Sequence, residues 1–258
     1  MKNALSKCKF LLNNVRGAKT KMVVIKRIID EEDPMLVALV ETKLDKEDKF
    51  DISGFIPVRG DRDNEGGGVV LFYKERLKNI VVETKKYSNN NCEMIWIKIN
   101  NKKVKIKIGV IYMPQESRTS LETLKNIYKD VEEEVKEGEE TGYPLLLMGD
   151  FNCKVGTAIP RNTDEVTKGG RLQLKMIGEH NLTIANACEN NCEGLWTRVE
   201  GIQKSVLDYV ICSKPDAKMM DRMVIDEDKN MTPYHLEEGR RIYRSLHDNR
   251  NPEHLVTW

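Results

Sequence analysis

Three acidic residues stand at the ends of apolar runs or within them. Glu41 follows one such run directly, Asp150 follows another after a single glycine, and Asp208 interrupts a third. Burying a carboxylate among apolar side chains is costly unless it meets a metal ion or hydrogen-bond donors. Each acid alone is typical of a helix cap or a salt bridge, but the three together favour a hard cation such as Mg²⁺.

The short segment from Asp150 to Asn152 has the sharpest chemical signature. Alternate residues of an extended segment point the same way, so the carboxylate of Asp150 and the amide of Asn152 are expected to converge. Such a pair can orient and deprotonate a water molecule while a phosphate group is held opposite.

Short apolar blocks separated by polar or glycine-containing turns predict the strands that position these acids. The predicted strands are Met35–Val40, Gly68–Tyr73, Met94–Ile99, Val104–Tyr112, Pro144–Met148 and Val206–Cys212. The strand from Val104 alternates strictly, which predicts one solvated face. Its lysines, with those just before it, would either track phosphates or simply be solvated; they are Lys102, Lys103, Lys105 and Lys107.

Apolar residues at helical spacing predict three helices between these strands, at Thr20–Glu31, Ser120–Lys136 and Arg171–His180. Ser120 is the expected N-cap of the second. Strands outnumber helices, and neither a linker nor a repeat is evident. We therefore expect one α/β (α+β) domain over residues 1–258, with two sheets packed face to face and helices outside.

The composition limits the classes of partner and compartment. Lys and Arg total 42 and Asp and Glu total 41 in 258 residues, so nucleic-acid affinity would have to come from local patches. Six cysteines in so long a chain do not indicate a disulfide scaffold. The N-terminal residues lack the apolar stretch of a signal peptide, and no run could span a bilayer. An intracellular protein is expected.

Six motifs, together with these acids, resemble the endonuclease/exonuclease/phosphatase superfamily, and within it the endonuclease domain of non-LTR retrotransposons, which is related to abasic-site endonucleases. The motifs are Asn14–Gly17, Glu41–Lys43, Gly66–Phe72, Val110–Pro114, Gly149–Asn152 and Ser205–Val210. They occur in the family's order and approximate spacing over nearly the whole chain. The resemblance implies a DNase I-like fold, a four-layered two-sheet β-sandwich flanked by helices.

The resemblance also implies a metal site for Mg²⁺, with Mn²⁺ as a substitute. Glu41 would be the main metal carboxylate, with Asn14 beside it and Asp248 as a further candidate ligand. The metal would support hydrolysis of a phosphodiester bond by in-line attack of water.

The remaining roles that the resemblance implies are catalytic. Tyr112 would steady the scissile phosphate or the leaving oxygen, Asp150 would activate the attacking water, and Asn152 would position that water. Asp208 would orient a histidine near the chain end, assigned here to His247, which would stabilise charge on the phosphate.

The end of the chain departs from the family, which closes with Ser-Asp-His before an apolar strand. The corresponding stretch is Ser245–Asn249, where Leu246 occupies the place of the acid and Asp248 follows the histidine. The polar segment Arg250–His254 contains a proline and does not suit a central strand. Residues 245–258 are therefore expected to be atypical and the activity to be impaired.

Three functions remain open on the sequence. The first is Mg²⁺-dependent nicking of DNA by an endonuclease of retrotransposon origin, in a chain without a reverse transcriptase and with no membrane partner. The second is phosphatase or phosphodiesterase action on a small or lipid substrate, since one fold hosts both. The third is a catalytically inactive relic that binds nucleic acid. Nuclear localisation is a hypothesis that follows from the first function alone.

Overall fold

A computed structural model describes residues 9–62, 66–89, 92–102, 104–160, 165–187, 192–200, 202–214, 222–225 and 242–245. Its strands are β1 (Phe10–Asn14), β2 (Leu36–Val40), β3 (Phe55–Gly60), β4 (Val69–Lys74), β5 (Val81–Asn89), β6 (Cys92–Asn100), β7 (Lys105–Tyr112), β8 (Leu145–Asp150), β9 (Leu182–Ile184), β10 (Cys192–Glu193), β11 (Arg198–Glu200), β12 (Gln203–Ser205), β13 (Asp208–Ser213), β14 (Arg222–Ile225) and β15 (Ile242–Ser245). Its α-helices are α1 (Met22–Glu32), α2 (Leu121–Thr141) and α3 (Lys168–Glu179). Short 3-10 turns occur at Lys19–Lys21, Glu75–Leu77, Glu116–Arg118, Gly156–Ala158 and Ala185–Ala187.

The described strands form two mixed sheets and one separate hairpin. The first sheet has the order β10-β14-β15-β1-β2-β4-β3, and the second has the order β5-β6-β7-β8-β13-β9. Strands β11 and β12 form the hairpin. All six predicted strands and all three predicted helices are present, with ends shifted by a few residues.

Alternation along the strands builds three apolar layers. Leu36, Ala38 and Val40 of β2 pack between the two sheets, whereas Val37 and Leu39 face α1. The second sheet divides in the same way between the central layer and the layer beneath α2 and α3. The central strands, β2 and β4 in the first sheet and β6 to β8 in the second, are therefore buried on both faces, which explains the continuous apolar runs. The predicted fold class, a two-sheet sandwich flanked by helices, is confirmed.

Helix α2 begins where the sequence predicted. The Ser120 side chain accepts a hydrogen bond from the Thr123 backbone at 3.0 Å, which caps the helix. The helix continues past the predicted end to Thr141 and stops at Gly142, whose φ of 67° suits a glycine. Among the described residues, no helix is both long and apolar enough to cross a membrane.

The predicted solvated face of β7 is wrong at Lys107. Its side chain is buried beneath α2, where the ammonium group pairs with Glu134 at 2.6 Å and with Glu137 at 2.6 Å. Lys105 is the exposed one. Lys107 therefore forms an ion-pair contact between sheet and helix and is not available to phosphates.

Replacing this buried cation is expected to destabilise the fold. Lys107→Met removes the cation that Glu134 and Glu137 share, although they keep Lys85 and Lys98 as partners. We therefore expect a loss toward the low end of the roughly 3–5 kcal/mol that breaking a buried pair costs. Lys105→Met, on the same strand, is the matched control and should cost about 0.5 kcal/mol or less. Urea unfolding of the two variants measures the difference; equal midpoints would contradict the role assigned to Lys107.

Candidate active site

Four polar side chains lie in a row across the second sheet. Glu93 of β6 pairs with Tyr112 of β7, and Tyr112 pairs with Asp150 of β8. Asp150 pairs in turn with Asp208 of β13. Directly paired residues of adjacent strands point to the same face, and all four are buried. We call these four residues the polar row.

Asn14, the last residue of β1, connects the first sheet to the polar row. Its side-chain nitrogen donates to Glu41 Oε1 at 2.8 Å and to Asp150 Oδ2 at 2.9 Å. Its side-chain oxygen accepts from the Arg16 backbone at 3.2 Å. One amide thus holds together two acids that are 109 positions apart in the sequence (150 − 41). The structure brings together Asn14, Glu41 and Asp150, three of the residues to which the resemblance assigns roles.

The loops after β1 and β2 fix the position of Glu41 at some conformational cost. The Gly17 backbone donates to the Glu41 carbonyl at 2.7 Å, so the two loops run side by side. Arg16, Glu41 and Lys43 have φ values of 45°, 53° and 51°, in a region that costs non-glycine residues free energy. Such strain is common at functional sites.

The loop after β8 holds Asp150 through its neighbours. Any side chain at Gly149 would overlap the carbonyl of Ile111, so glycine lets β8 approach β7 closely just before the acid. The Phe151 backbone donates to the Leu207 carbonyl at 2.9 Å, and its ring packs edge-on against Tyr209, with centroids 5.7 Å apart. Asp150 therefore has little freedom to move.

Asn152 lies near Asp150, but the reason given by the sequence is wrong. Its φ of 47° shows that the segment is not extended. The Asn152 backbone donates to Asp150 Oδ1 at 2.9 Å, while its side-chain nitrogen donates to the Met113 carbonyl at 2.8 Å. Asn152 therefore supports the acid through its backbone and anchors the end of β7 through its side chain.

The carboxylate of Asp150 sits in an environment that favours its protonated form. Burial, above all, and then the negative charges of Asp208 and Glu41 raise the pKa of Asp150 well above its usual value, against the opposing hydrogen bonds from Asn152 and Asn14. Burial, with Glu41 and Asp150, likewise raises the pKa of Tyr112. The phenol of Tyr112 is thus a hydrogen-bond donor at neutral pH.

The backbone around Asp208 is held by two side chains that the sequence analysis did not single out. Thr197 Oγ1 accepts from the backbones of Leu207 and Asp208 at 2.9 and 3.1 Å. Asn186 donates to the Asp208 carbonyl at 3.0 Å and accepts from the Val210 backbone at 3.1 Å. Both polar residues are buried, which keeps Asp208 in register with Asp150.

Arg62 and Glu93 are further residues of the site that sequence reasoning missed. The Arg62 guanidinium donates to both oxygens of Glu93, at 2.5 and 2.9 Å, and lies 5.8 Å from the centre of the Tyr112 ring. Glu93 lies at the start of an apolar strand, just as Glu41 follows the end of one. This position beside an apolar run is the sequence pattern that could have identified Glu93 as a site residue. Register across strands, which places Glu93 beside Tyr112, cannot be read from the sequence.

The donor set near Asn14 suits a hard divalent cation. Among the described residues, no three His, Cys, Asp or Glu side chains converge closely enough to enclose an ion. Mg²⁺, however, commonly takes one or two carboxylates and completes its shell with water and substrate phosphate. Glu41 and Asp150, bridged by Asn14, offer such an open set. A cation there would also offset the repulsion among Asp150, Glu41 and Asp208.

The two site candidates from the chain end, His247 and Asp248, lie outside the described residues. Strand β15 ends at Ser245, two residues before His247. It runs antiparallel to β1, with Leu12 paired to Ile242 and Phe10 paired to Arg244. The chain therefore enters β15 at the end of the sheet where Asn14 lies and leaves it at the opposite end. The last strand of the described residues is thus β15, and residues 246–258 lie outside the described part of the chain.

The site geometry agrees with a match to a known family. Residues 9–219 match the model of the endonuclease/exonuclease/phosphatase family, and the chain belongs to that family. This span contains every described residue of the polar row together with Asn14 and Glu41. A search of curated proteins found no significant match.

Solved structures of this fold include nucleases and phosphatases. The endonuclease domain of TRAS1, a telomere-specific non-LTR retrotransposon, is 16% identical, with a TM-score of 0.65 and coverage of 93% of this chain and 97% of that one. The 3′ phosphatase NExo from Neisseria, bound to a product DNA hairpin, is 13% identical, with a TM-score of 0.70 and coverage of 92% and 98%. A mannosyl-6-phosphatase from Bacteroides thetaiotaomicron is 14% identical, with a TM-score of 0.63 and coverage of 92% and 98%. At these identities the likeness establishes the fold.

Proposed function

We propose that this protein is a divalent-metal-dependent phosphodiesterase that nicks DNA. The observation that carries the proposal is the meeting of both sheets at one set of oxygen and phenol groups, joined by Asn14. Hydrolysis of a phosphodiester needs a base for water and positive charge or hydrogen-bond donors for the phosphate. The described residues supply the base and one donor, and the metal would supply the positive charge.

Each residue of the site has a role in this proposal. Glu41 would hold the cation, which would polarise the phosphate when bound. The carboxylate of Asp150 accepts the proton of the attacking water, because burial and neighbouring acids make it a stronger base than an ordinary aspartate. Tyr112 donates its phenolic proton in a hydrogen bond to a phosphate oxygen or the leaving oxygen. Asn14 keeps Asp150 aligned with Glu41.

Local basic charge near Glu41 favours a nucleic acid as the substrate. Arg16 and Lys43 are exposed on the two loops beside Glu41. Their positive charges, after burial, lower the pKa of nearby Lys21, so the three cations act on one region. A basic patch beside the acids can hold the phosphates that flank a scissile bond, although the chain's net charge is only +1.

The hairpin of β11 and β12 offers a second contact to a duplex. It stands directly before Asp208, and Thr197 at its base fixes the Asp208 backbone. Ile202, in its turn, is 99% exposed. An exposed apolar side chain on a hairpin whose base contacts Asp208 suits a groove or a base step of DNA better than it suits a small soluble phosphate ester.

Plasmid nicking tests the proposed function. We expect the purified protein to convert supercoiled plasmid to the open circle with Mg²⁺, to lose this activity with EDTA, and to regain it with Mn²⁺. Binding should weaken with added salt because the contacts are to phosphates. Hydrolysis of phosphate monoesters without plasmid nicking would favour a phosphatase of small substrates. DNA binding with no cleavage in any divalent metal would favour an inactive nucleic-acid-binding protein.

A further inference from the structure

The glycine turn Gly66–Gly68 lies between the two halves of the site. All three glycines have positive φ values, of 89°, 70° and 86°. On one side, the Thr42 backbone donates to the Gly68 carbonyl at 3.2 Å, and the Lys43 backbone donates to the Gly67 carbonyl at 2.9 Å. These bonds fix the two residues that follow Glu41.

On its other side, the turn contacts the ion pair of Arg62 and Glu93. The Gly68 backbone donates to Glu93 Oε2 at 3.2 Å. Any side chain at Gly67 would overlap the guanidinium of Arg62, and any side chain at Gly68 would overlap the hydroxyl of Thr42. The positive φ values and these two close approaches together favour glycine at both positions.

Arg62 in turn reaches the polar row. Its guanidinium makes a fork of two hydrogen bonds to Glu93 and lies beside the ring of Tyr112. Glu93 has no exposed surface, and 16% of the Arg62 side chain is exposed. An arginine donates two parallel hydrogen bonds to one carboxylate, which fixes the relative orientation of the two groups. The ammonium group of a lysine cannot form this paired contact.

We propose that Arg62, held by Glu93, is a positioning residue that fixes Tyr112 relative to Glu41. Contacts run without a break from the Tyr112 ring through Arg62, Glu93 and Gly68 to the residues after Glu41. Glu41 follows a strand of the first sheet and Tyr112 ends a strand of the second, so their separation depends on this connection as well as on Asn14. The inference rests on the proposed phosphodiesterase function. It adds that Arg62 contributes to the catalytic rate and to the affinity for the metal.

The test compares Arg62→Ala with Arg59→Ala in the full chain. Arg59 lies on the neighbouring β3 strand, is 19% exposed and pairs with Asp61 at 2.9 Å, so it is a matched control away from Tyr112. Loss of a residue that orients metal and catalytic groups costs about 10- to 100-fold in activity or metal affinity. We expect that loss in kcat for Arg62→Ala, with KM changed by less than about threefold, since DNA contacts remain.

Chemical rescue of the Arg62→Ala variant distinguishes a positioning role of Arg62 from a role in stability alone. Millimolar guanidinium chloride should restore part of the nicking by Arg62→Ala, whereas equal sodium chloride should not, and neither should affect Arg59→Ala in this way. Arg62→Lys should remain impaired because an ammonium group cannot form the fork. If Arg62→Ala does not fold, the Arg62→Lys variant carries the kinetic test.

A second readout does not depend on cleavage. Mg²⁺ should raise the melting temperature of the wild type, and the Mg²⁺ concentration at half effect should be about tenfold or more higher for Arg62→Ala. This readout remains valid if the wild type does not nick plasmid, a result that would count against the proposed function alone. An Arg62→Ala variant that matches Arg59→Ala in kcat and in the Mg²⁺ midpoint would overturn the inference.

Discussion

Asp150→Asn is expected to abolish nicking and, at the same time, to make the protein more stable. The amide keeps the size of the side chain but cannot accept a proton from water, and loss of a general base costs about 10² to 10⁴ in rate. Burial and the negative charges of Asp208 and Glu41 all raise the pKa of Asp150. Removing its charge relieves repulsion and desolvation, as often happens at active sites. Plasmid nicking and thermal melting measure the two effects.

The opposite signs of the two effects make this prediction specific. Glu116→Gln is the control, because Glu116 accepts bonds from the Lys168 and Gly169 backbones at 3.1 and 2.9 Å and so holds the start of α3. It should lose stability and keep its rate. The role of Asp150 would be refuted by a variant that nicks within about threefold of the wild type. A large fall in melting temperature for Asp150→Asn would instead show that its carboxylate supports the fold.

The acids of this site could be predicted from the sequence because charged residues are unexpected beside apolar runs. Glu41, Asp150 and Asp208 each adjoin apolar runs whose burial on both faces could be read from the sequence. The structure places all three on the ends of the two sheets, with Asp150 and Asp208 directly paired. A charged residue at the end of a buried apolar run can therefore be recognised from the sequence alone, because the pattern involves only neighbouring residues.

Contacts that depend on register or on a covering helix were not predictable in this way. Arg62 meets Glu93 and Tyr112 only because β6 and β7 pair at one register and the chain before β4 returns over them. Lys107 is buried because α2 covers its face of β7, although alternation alone predicts solvent there. Strand β1 escaped prediction since only five residues, ending in two asparagines, form it.

Replacing His235 with alanine is expected to reduce nicking by about 10²-fold, the effect of removing one donor that stabilises charge on the phosphate. Among the four histidines of the chain, His180 is bound to Glu139 at 3.0 Å, and His247 and His254 follow β15. Of the three histidines other than His180, only His235 precedes β15, the strand that the chain enters at the end where Asn14 lies. His235 is seven residues before Ile242, a reach of up to about 23 Å.

His247→Ala is the matched control, and we expect it to change the rate by less than about threefold. Arg244 pairs with Phe10, which lies four residues, or about 13 Å, from Asn14 along β1. Ser245 is one residue farther, and even a full reversal over the two residues to His247 recovers at most about 7 Å. A loss of nicking with His247→Ala alone would support the assignment of His247 that the resemblance implies. No effect of either substitution would mean that Asp208 acts without a histidine and that phosphate charge is stabilised by metal and Tyr112 alone.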